Sequence, residues 1–324
     1  MCPLRVGFSH SSRLSRLSAW SPRIGLVRSR SRVARVDAFS AGRLNRTLDS
    51  LHSVSYFVPE VNEWFGALGM QGRTPYFAAR SAPMGAVTAG VVAATFYNFN
   101  PDLVVRSIPA AWEMASPEAV TRLRYEIVED AVPRVLGNSF TTSPELARAA
   151  DIVRRAAEAI PDADGRPLYA GHADLPWPQS PHARLWHGIT LLREYRGDGH
   201  IAALVTYRLS GLEALITHTA SGIGFTADFA RRLRGWSEEQ WAAATETLRH
   251  RGLIAASGEL ADKGIELRTE IEDLTDRLAF APWRILTDAE VAELERFAKS
   301  MRQVILSAGV FPADAFAPRY GEHR

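Results

Sequence analysis

The densest group of side chains able to do chemistry lies between residues 182 and 200, where His182, Arg184, His187, Arg193, Glu194, Tyr195, Arg196, Asp198 and His200 follow closely on one another. On a helix beginning at 181, His187, Leu191, Glu194 and Asp198 occupy neighbouring turns of one face. Gly197 and Gly199 bracket Asp198, and that bracketing predicts a tight turn that brings Asp198 and His200 to a common point. A carboxylate, imidazoles and guanidinium groups together equip a ligand pocket. Imidazole nitrogen and carboxylate oxygen also suit Zn or Fe. No H-x-x-x-H or H-E-x-x-H spacing accompanies them, so no metal site is assigned. The competing reading is a buried salt-bridge and capping network, with Asp198 capping the next helix and Glu194 paired with an arginine.

A second group is aromatic and polar: Tyr56, Phe57 and Glu60; Tyr76, Phe77 and Arg80; Phe96, Tyr97, Asn98 and Phe99. Such residues line small-molecule pockets and equally fill helical cores. A pocket between the N-terminal half and a helix over 181–196 would draw on Tyr56, Arg80, Phe96, Asn98, His187, Glu194, Arg196, Asp198 and His200. No dinucleotide fingerprint, Walker loop or nucleophile elbow occurs. No catalytic residue is therefore assigned, and the sequence leaves the pocket's ligand or cofactor unknown. Cys2 is the single cysteine, which excludes a disulfide framework and a thiolate zinc site. His172 and Asp174 read as solvated, and His218 as a satisfied core histidine.

The elements that must position these groups are helices. An N-cap residue followed by proline occurs at Asn100-Pro101, Ser116-Pro117, Ser143-Pro144 and Ser180-Pro181, and each predicts a helix start. Capping boxes begin at Ser237 and Thr287. Gly137, Gly197 and Gly252 sit where helices would end. Caps and periodicity predict helices near 40–50, 58–68, 83–97, 101–107, 117–136, 144–160, 181–196, 200–208, 211–221, 226–234, 238–251, 260–279 and 287–307. The fold class is all-α, with at most one short β-hairpin at 253–260. The stretch 161–180, rich in Pro, Gly and Asp, reads as a surface linker pinned by Trp177. It would divide a helical domain over 37–160 from a second over 181–312.

Within 211–280 the order is helix, helix, tight turn, third helix, hairpin tip, long helix, the plan of a winged helix-turn-helix. The run LRHRGLI…GELADKGIELRTEIEDLTDRL resembles the recognition-helix, wing and long-helix stretch of MarR-type regulators. Over about Phe39 to Phe311, including YFVPE, TPYFAAR, ATFYNFNPD and LWHGITLLREYRGDGHIAAL, the chain resembles an actinobacterial helix-turn-helix family. The resemblance implies double-stranded DNA as a partner, met as a homodimer. The candidate contacts are Arg231, Arg232, Arg234, Gln240, Arg249 and Arg251. Against it, the third helix opens on Glu238 and Glu239, and the tip AASGE has no Arg or Lys.

The charge pattern divides the chain. Residues 1–48 hold ten Arg and one acid, Asp37, so the remainder is acidic despite the overall +2. Residues 1–36 and 313–324 read as tails, the first disordered or translated from a start placed too early. The uncharged run 81–101 is too rich in Ala, Gly and Asn to span a membrane; it reads as a closely packed buried helix, and the protein as cytoplasmic. Two functions stay open: a ligand-responsive regulator of transcription, or a small-molecule-binding protein or enzyme that uses the winged helix as scaffold.

Overall fold

The computed structural model describes residues 36–312 and 314–319. Cys2 and nearly all of the expected N-terminal tail lie outside the described residues, as do 313 and 320–324. Sixteen α-helices follow one another: α1 (Ala38–Phe57), α2 (Pro59–Ala67), α3 (Thr74–Ser81), α4 (Ala89–Phe96), α5 (Pro101–Val105), α6 (Ala110–Met114), α7 (Pro117–Leu136), α8 (Asn138–Thr141), α9 (Pro144–Glu158), α10 (Pro167–Ala173), α11 (Pro181–Thr206), α12 (Gly211–Ala220), α13 (Ala227–Arg234), α14 (Glu238–His250), α15 (Asp262–Leu278) and α16 (Asp288–Ser307). The described residues form no β-strand, only isolated bridges at Ile254–Leu260 and Phe225–Phe316. The all-α class holds, and no described helix is long and apolar enough to cross a membrane.

Local chemistry set most helix starts. Asn100 Oδ1 accepts from Asp102 N at 3.0 Å, and the Ser116, Ser143 and Ser180 hydroxyls accept from the third helical N–H of α7, α9 and α11. These bonds satisfy donors that the helix leaves orphaned. The boxes at Ser237 and Thr287 both close, and a third, unexpected one joins Ser210 to Glu213.

Three expectations are corrected. First, no turn separates 181–196 from 200–208, because α11 runs unbroken for 26 residues. Its glycines answer a need for space: a Cβ on Gly199 would lie 2.8 Å from the Arg166 guanidinium, and one on Gly188 would lie 2.8 Å from Val153. Close approach across a buried helix outweighs the roughly 1 kcal/mol propensity cost of each glycine. Second, the stretch 161–180 carries α10, whose Leu168, Tyr169 and His172 are buried. Third, the expected helix 83–97 is a 3-10 turn at Ala82–Met84 followed by α4, and Val91 on α4 is 42% exposed.

The main core runs from Ala41 to Ile305 with Trp186 and Trp283 fully enclosed. Its axis is α11, packed by α1, α7, α9, α10 and α15. A smaller apolar cluster joins Leu204, Leu212, Ile216, Leu248, Leu253 and Ile271 and closes the winged helix on the end of α11.

The segment Phe96–Asn100 latches the body to the helix-turn-helix. Tyr97 takes a left-handed backbone (φ 57°) and donates its hydroxyl to Leu209 O at 2.5 Å. Arg234 Nε donates to Asn98 Oδ1 at 3.1 Å, and Trp236 Nε1 to Asn98 O at 3.0 Å. Asn100 N donates to Arg234 O, and its side chain to Gly235 O and Gln240 Oε1. A Cβ on Gly211 would fall 1.9 Å from Tyr97 O, a backbone atom. Gly211→Ala is therefore expected to cost about 1–3 kcal/mol in urea unfolding. Gly66→Ala, in α2 with nothing within 4 Å of the new methyl, should be neutral or stabilising by about 0.5–1 kcal/mol. Equal effects would mean that the latch is loose.

Candidate functional site

Half-buried Arg73, Tyr76 and Arg80 follow one face of α3. Their i, i+3, i+7 spacing stacks them over successive turns. Arg80 donates through Nε and Nη2 to both oxygens of Glu194 at 3.1 and 2.8 Å, and through Nη1 to the Tyr76 hydroxyl at 3.1 Å. Arg193 adds a bond to Glu194 at 2.7 Å and pairs with Asp49 at 2.7 Å. Glu194 is fully buried. Burial alone would raise its pKa, but the Arg193 and Arg80 charges hold it well below the usual carboxylate range.

The aromatic wall is made by Phe77, Phe96 and Phe99, whose rings surround Tyr76 within 5.3–6.1 Å. Arg80 lies 4.5 Å over the Phe96 ring, Arg234 4.3 Å over Phe99, and Arg73 5.0 Å over Tyr76. The Tyr56 ring closes the group 5.0 Å from Tyr76. The expected ligand residues Tyr56, Arg80, Phe96 and Glu194 thus meet in one recess, with Asn98 at its rim through Arg234. Burial pushes Arg234 down, and the neighbouring Arg73, Arg80 and Arg193 reinforce it, to about 10.

Behind the recess runs a chain of buried polar groups that passes through the Arg124 guanidinium. His52 lies 2.8 Å from the Thr190 hydroxyl and 2.6 Å from the Tyr56 hydroxyl. Arg124 donates to the Tyr56 oxygen at 3.3 Å and lies 3.0 Å from His172 Nε2, while His172 Nδ1 lies 2.8 Å from Leu168 O. A neutral His172 that donates from Nδ1 and accepts at Nε2 satisfies both contacts. His172, expected in solvent, is therefore an interior acceptor.

The other expected ligand residues are dispersed. Asp198 does not face His200: its carboxylate accepts from Leu168 N and Tyr169 N at 3.1 and 2.9 Å, so it caps α10 rather than the next helix. Arg196 bridges Glu272 and Asp276 at 2.9 and 3.0 Å, and His200 lies 2.8 Å from the Thr275 hydroxyl. Both thereby fasten α11 to α15. His187 lies 2.5 Å from the Tyr125 hydroxyl and 4.6 Å edge-on to Trp177, two turns before Glu194 on α11. Tyr125 and Trp177 belong to a separate cleft of about 950 Å³, lined also by Pro83, Glu118, Glu126 and Glu129. That volume is in the range of small-molecule sites. No group of three or more metal-ligating residues occurs among the described residues.

The helix-turn-helix is built as expected from α12, α13 and α14, with Gly235 (φ 76°) at the turn and Ala230 and Leu248 inward. Its arginines are engaged. Arg231 bonds Asp228 and Glu238, Arg232 pairs with Asp228, Arg249 with Glu246, and Arg251 with Glu213. Arg234 turns inward to Asn98 and Phe99, away from any groove that α14 could enter. Gln240 Oε1 accepts from Ser237 N and Asn100 Nδ2. Residues 211–280 hold twelve acids against eight bases. Exposed pairs are worth at most about 1 kcal/mol each, so Arg232 and Arg249 can exchange carboxylate for phosphate at little cost.

Two outcomes follow. Glu194→Gln would leave Arg80 without its anion and Arg193 with Asp49 alone, and should cost about 3–5 kcal/mol in urea unfolding. The second concerns pH. Burial holds His172 and His200 down to about 3, and His187 and His218 down to about 4. Unfolded histidine titrates near about 6.5, so on acidification the unfolded chain takes up protons first. The histidine contribution is complete above about pH 6.5 and is lost as pH falls through about 4. Asp198, raised by burial to about 6, acts oppositely: its contribution is lost as pH rises through that value. Four imidazoles outweigh one carboxylate, so the urea midpoint should fall from pH 7 to pH 4.5, and His200→Gln should flatten the fall. A midpoint that rises on acidification would remove the imidazoles from control.

No curated protein and no solved structure matches the chain. A family model described as a helix-turn-helix family matches residues 41–312. The match takes in the α1–α11 body as well as the winged unit, so the recess and its latch lie within it. By that match, and by the α12–α15 geometry, the chain belongs to this helix-turn-helix family.

Proposed function

We propose that this chain is a DNA-binding transcriptional regulator of the MarR-like winged-helix kind that answers to a small molecule held in the Tyr76 recess. The observation that carries the reading is the latch. Asn98 and Asn100, on the segment that supplies Phe96 and Phe99 to the recess, hold the Arg234–Ser237 turn through four hydrogen bonds and Gln240 of α14 through a fifth. A ligand that displaced this segment would displace the turn that orients α14. Linkage of that kind requires only that the ligand bind the two positions of the latch with different affinity. A homodimer is the natural partner state, because single half-sites bind weakly. Arg232 and Arg249 would reach phosphate, with Arg231 and Arg251 behind them.

One observation favours a second reading, a small-molecule-binding protein or enzyme that keeps the winged helix as scaffold. The first turn of α14 presents exposed Glu238 and Glu239, both like-charged with phosphate. Gel shifts on genomic fragments at 50–200 mM salt distinguish the two. The regulator should give a salt-dependent shift, and Arg232→Ala with Arg249→Ala should lower the salt slope by about one for each contact removed. No shift at the lowest salt, or a shift untouched by these variants, would leave the scaffold reading.

A further inference from the structure

Positive charge in the recess exceeds what the protein neutralises. Arg73, Arg80, Arg193 and Arg234 converge on Tyr76. Glu194 and Asp49 are the acids that meet this group, and both are taken by Arg80 and Arg193. Arg73 and Arg234 make no ion pair among the described residues. Arg73 Nε is shielded from solvent and has no hydrogen-bond partner. Arg234 has only the neutral Asn98 oxygen and two ring faces.

The Tyr76 hydroxyl registers the excess: burial raises it, but Arg80, Arg234, Arg193 and Arg73 together bring it below its ordinary value. A guanidinium enclosed without a counter-charge is costly. Its planar fork matches the oxygens of a carboxylate or phosphate. Tyr56, Tyr76, Arg73, Arg80 and Arg234 are each half-buried, while Phe77, Phe96 and Phe99 behind them are closed. These residues therefore keep partial access to solvent, from which a small anion can approach the guanidiniums.

We infer that the recess binds an organic oxyanion, its carboxylate or phosphate oxygens between Arg73 and Arg234 beside the Tyr76 hydroxyl and its body against the Tyr56 and Tyr76 rings. Arg73 belongs to the body and Arg234 to α13, so the anion ties the helix-turn-helix to the body alongside the Asn98 latch. This deepens the ligand-responsive part of the proposed function and rests on it.

The test is calorimetric titration of the full chain, at low chloride, with inorganic phosphate and separately with benzoate. At least one probe should bind. Arg73→Gln and Arg234→Gln should each weaken binding by about tenfold or more, while Arg122→Gln, on the exposed face of α7, should not. Preference between the probes tells a phosphate from a carboxylate. A second readout is the 295 nm absorbance: the lowest-titrating tyrosine should move to higher pH on binding and vanish in Tyr76→Phe. If neither probe binds, or if both arginine variants bind like the parent, the inference is wrong. Should one arginine variant not fold, the other and the tyrosine titration decide. Anion binding without a DNA shift would overturn the regulator alone, and a DNA shift without anion binding would overturn this inference alone.

Discussion

Glu194 is the charge around which the interior is organised. It sits mid-way along α11 with no exposed surface, and Arg80 from α3 and Arg193 from its own helix converge on it. A carboxylate enclosed in this way stays ionised only because two guanidiniums donate to it. That requirement brings α3 against α11 and with it the Tyr76 face, the Phe77–Phe96–Phe99 wall and the segment that ends in Asn100. Arg73 and Arg234, which meet no acid there, then form a positive recess beside an interior of histidines and tyrosines that encloses Arg124. One ion pair thus decides both where the aromatic residues gather and what sign of charge they meet.

A second ionic group does for the winged helix what Glu194 does for the body. Arg196 on α11, with Arg46 on α1, holds Glu272 and Asp276 on α15. The long helix behind the helix-turn-helix is thereby fixed to the body. The front of the unit meets the body mainly through Asn98, Asn100 and Tyr97, where hydrogen bonds rather than apolar area make the contact. Packed cores rearrange in discrete steps, and hydrogen-bonded turns over half-buried rings can exchange partners more readily. Ion pairs and the hydrogen-bonded latch therefore hold different faces of α12–α15 to the body. The acidic surface of that unit sets its electrostatic limit as a nucleic-acid ligand.

Much of the fold was legible in the chain because its signals are local. Cap-and-proline pairs at 100, 116, 143 and 180 report on three or four successive residues, and each starts a helix where expected. The winged-helix order was legible for the same reason, since Gly235, the Ser237 box and Gly252 are punctuation. The errors fell where a glycine or proline answers a distant neighbour. Gly199 makes room for Arg166, so α11 does not turn there. Pro167 opens a buried helix whose cap, Asp198, lies 30 residues away. His172 and Arg234 looked like surface groups because their partners, Arg124, Asn98 and Phe99, are remote in sequence.

The sequence by itself determined the helical class, the helix starts and the module order, because capping and periodicity are satisfied within one or two turns. It also placed Tyr56, Arg80, Phe96 and Glu194 among the residues to watch. Tertiary structure alone decided which of them meet. Ion pairing and ring stacking at sequence separations above a hundred residues brought Arg80 to Glu194 and Arg234 to Asn98, and sent Asp198, His187 and His200 to three different neighbours. Burial, a property of the whole packed chain, then fixed the charge each group carries.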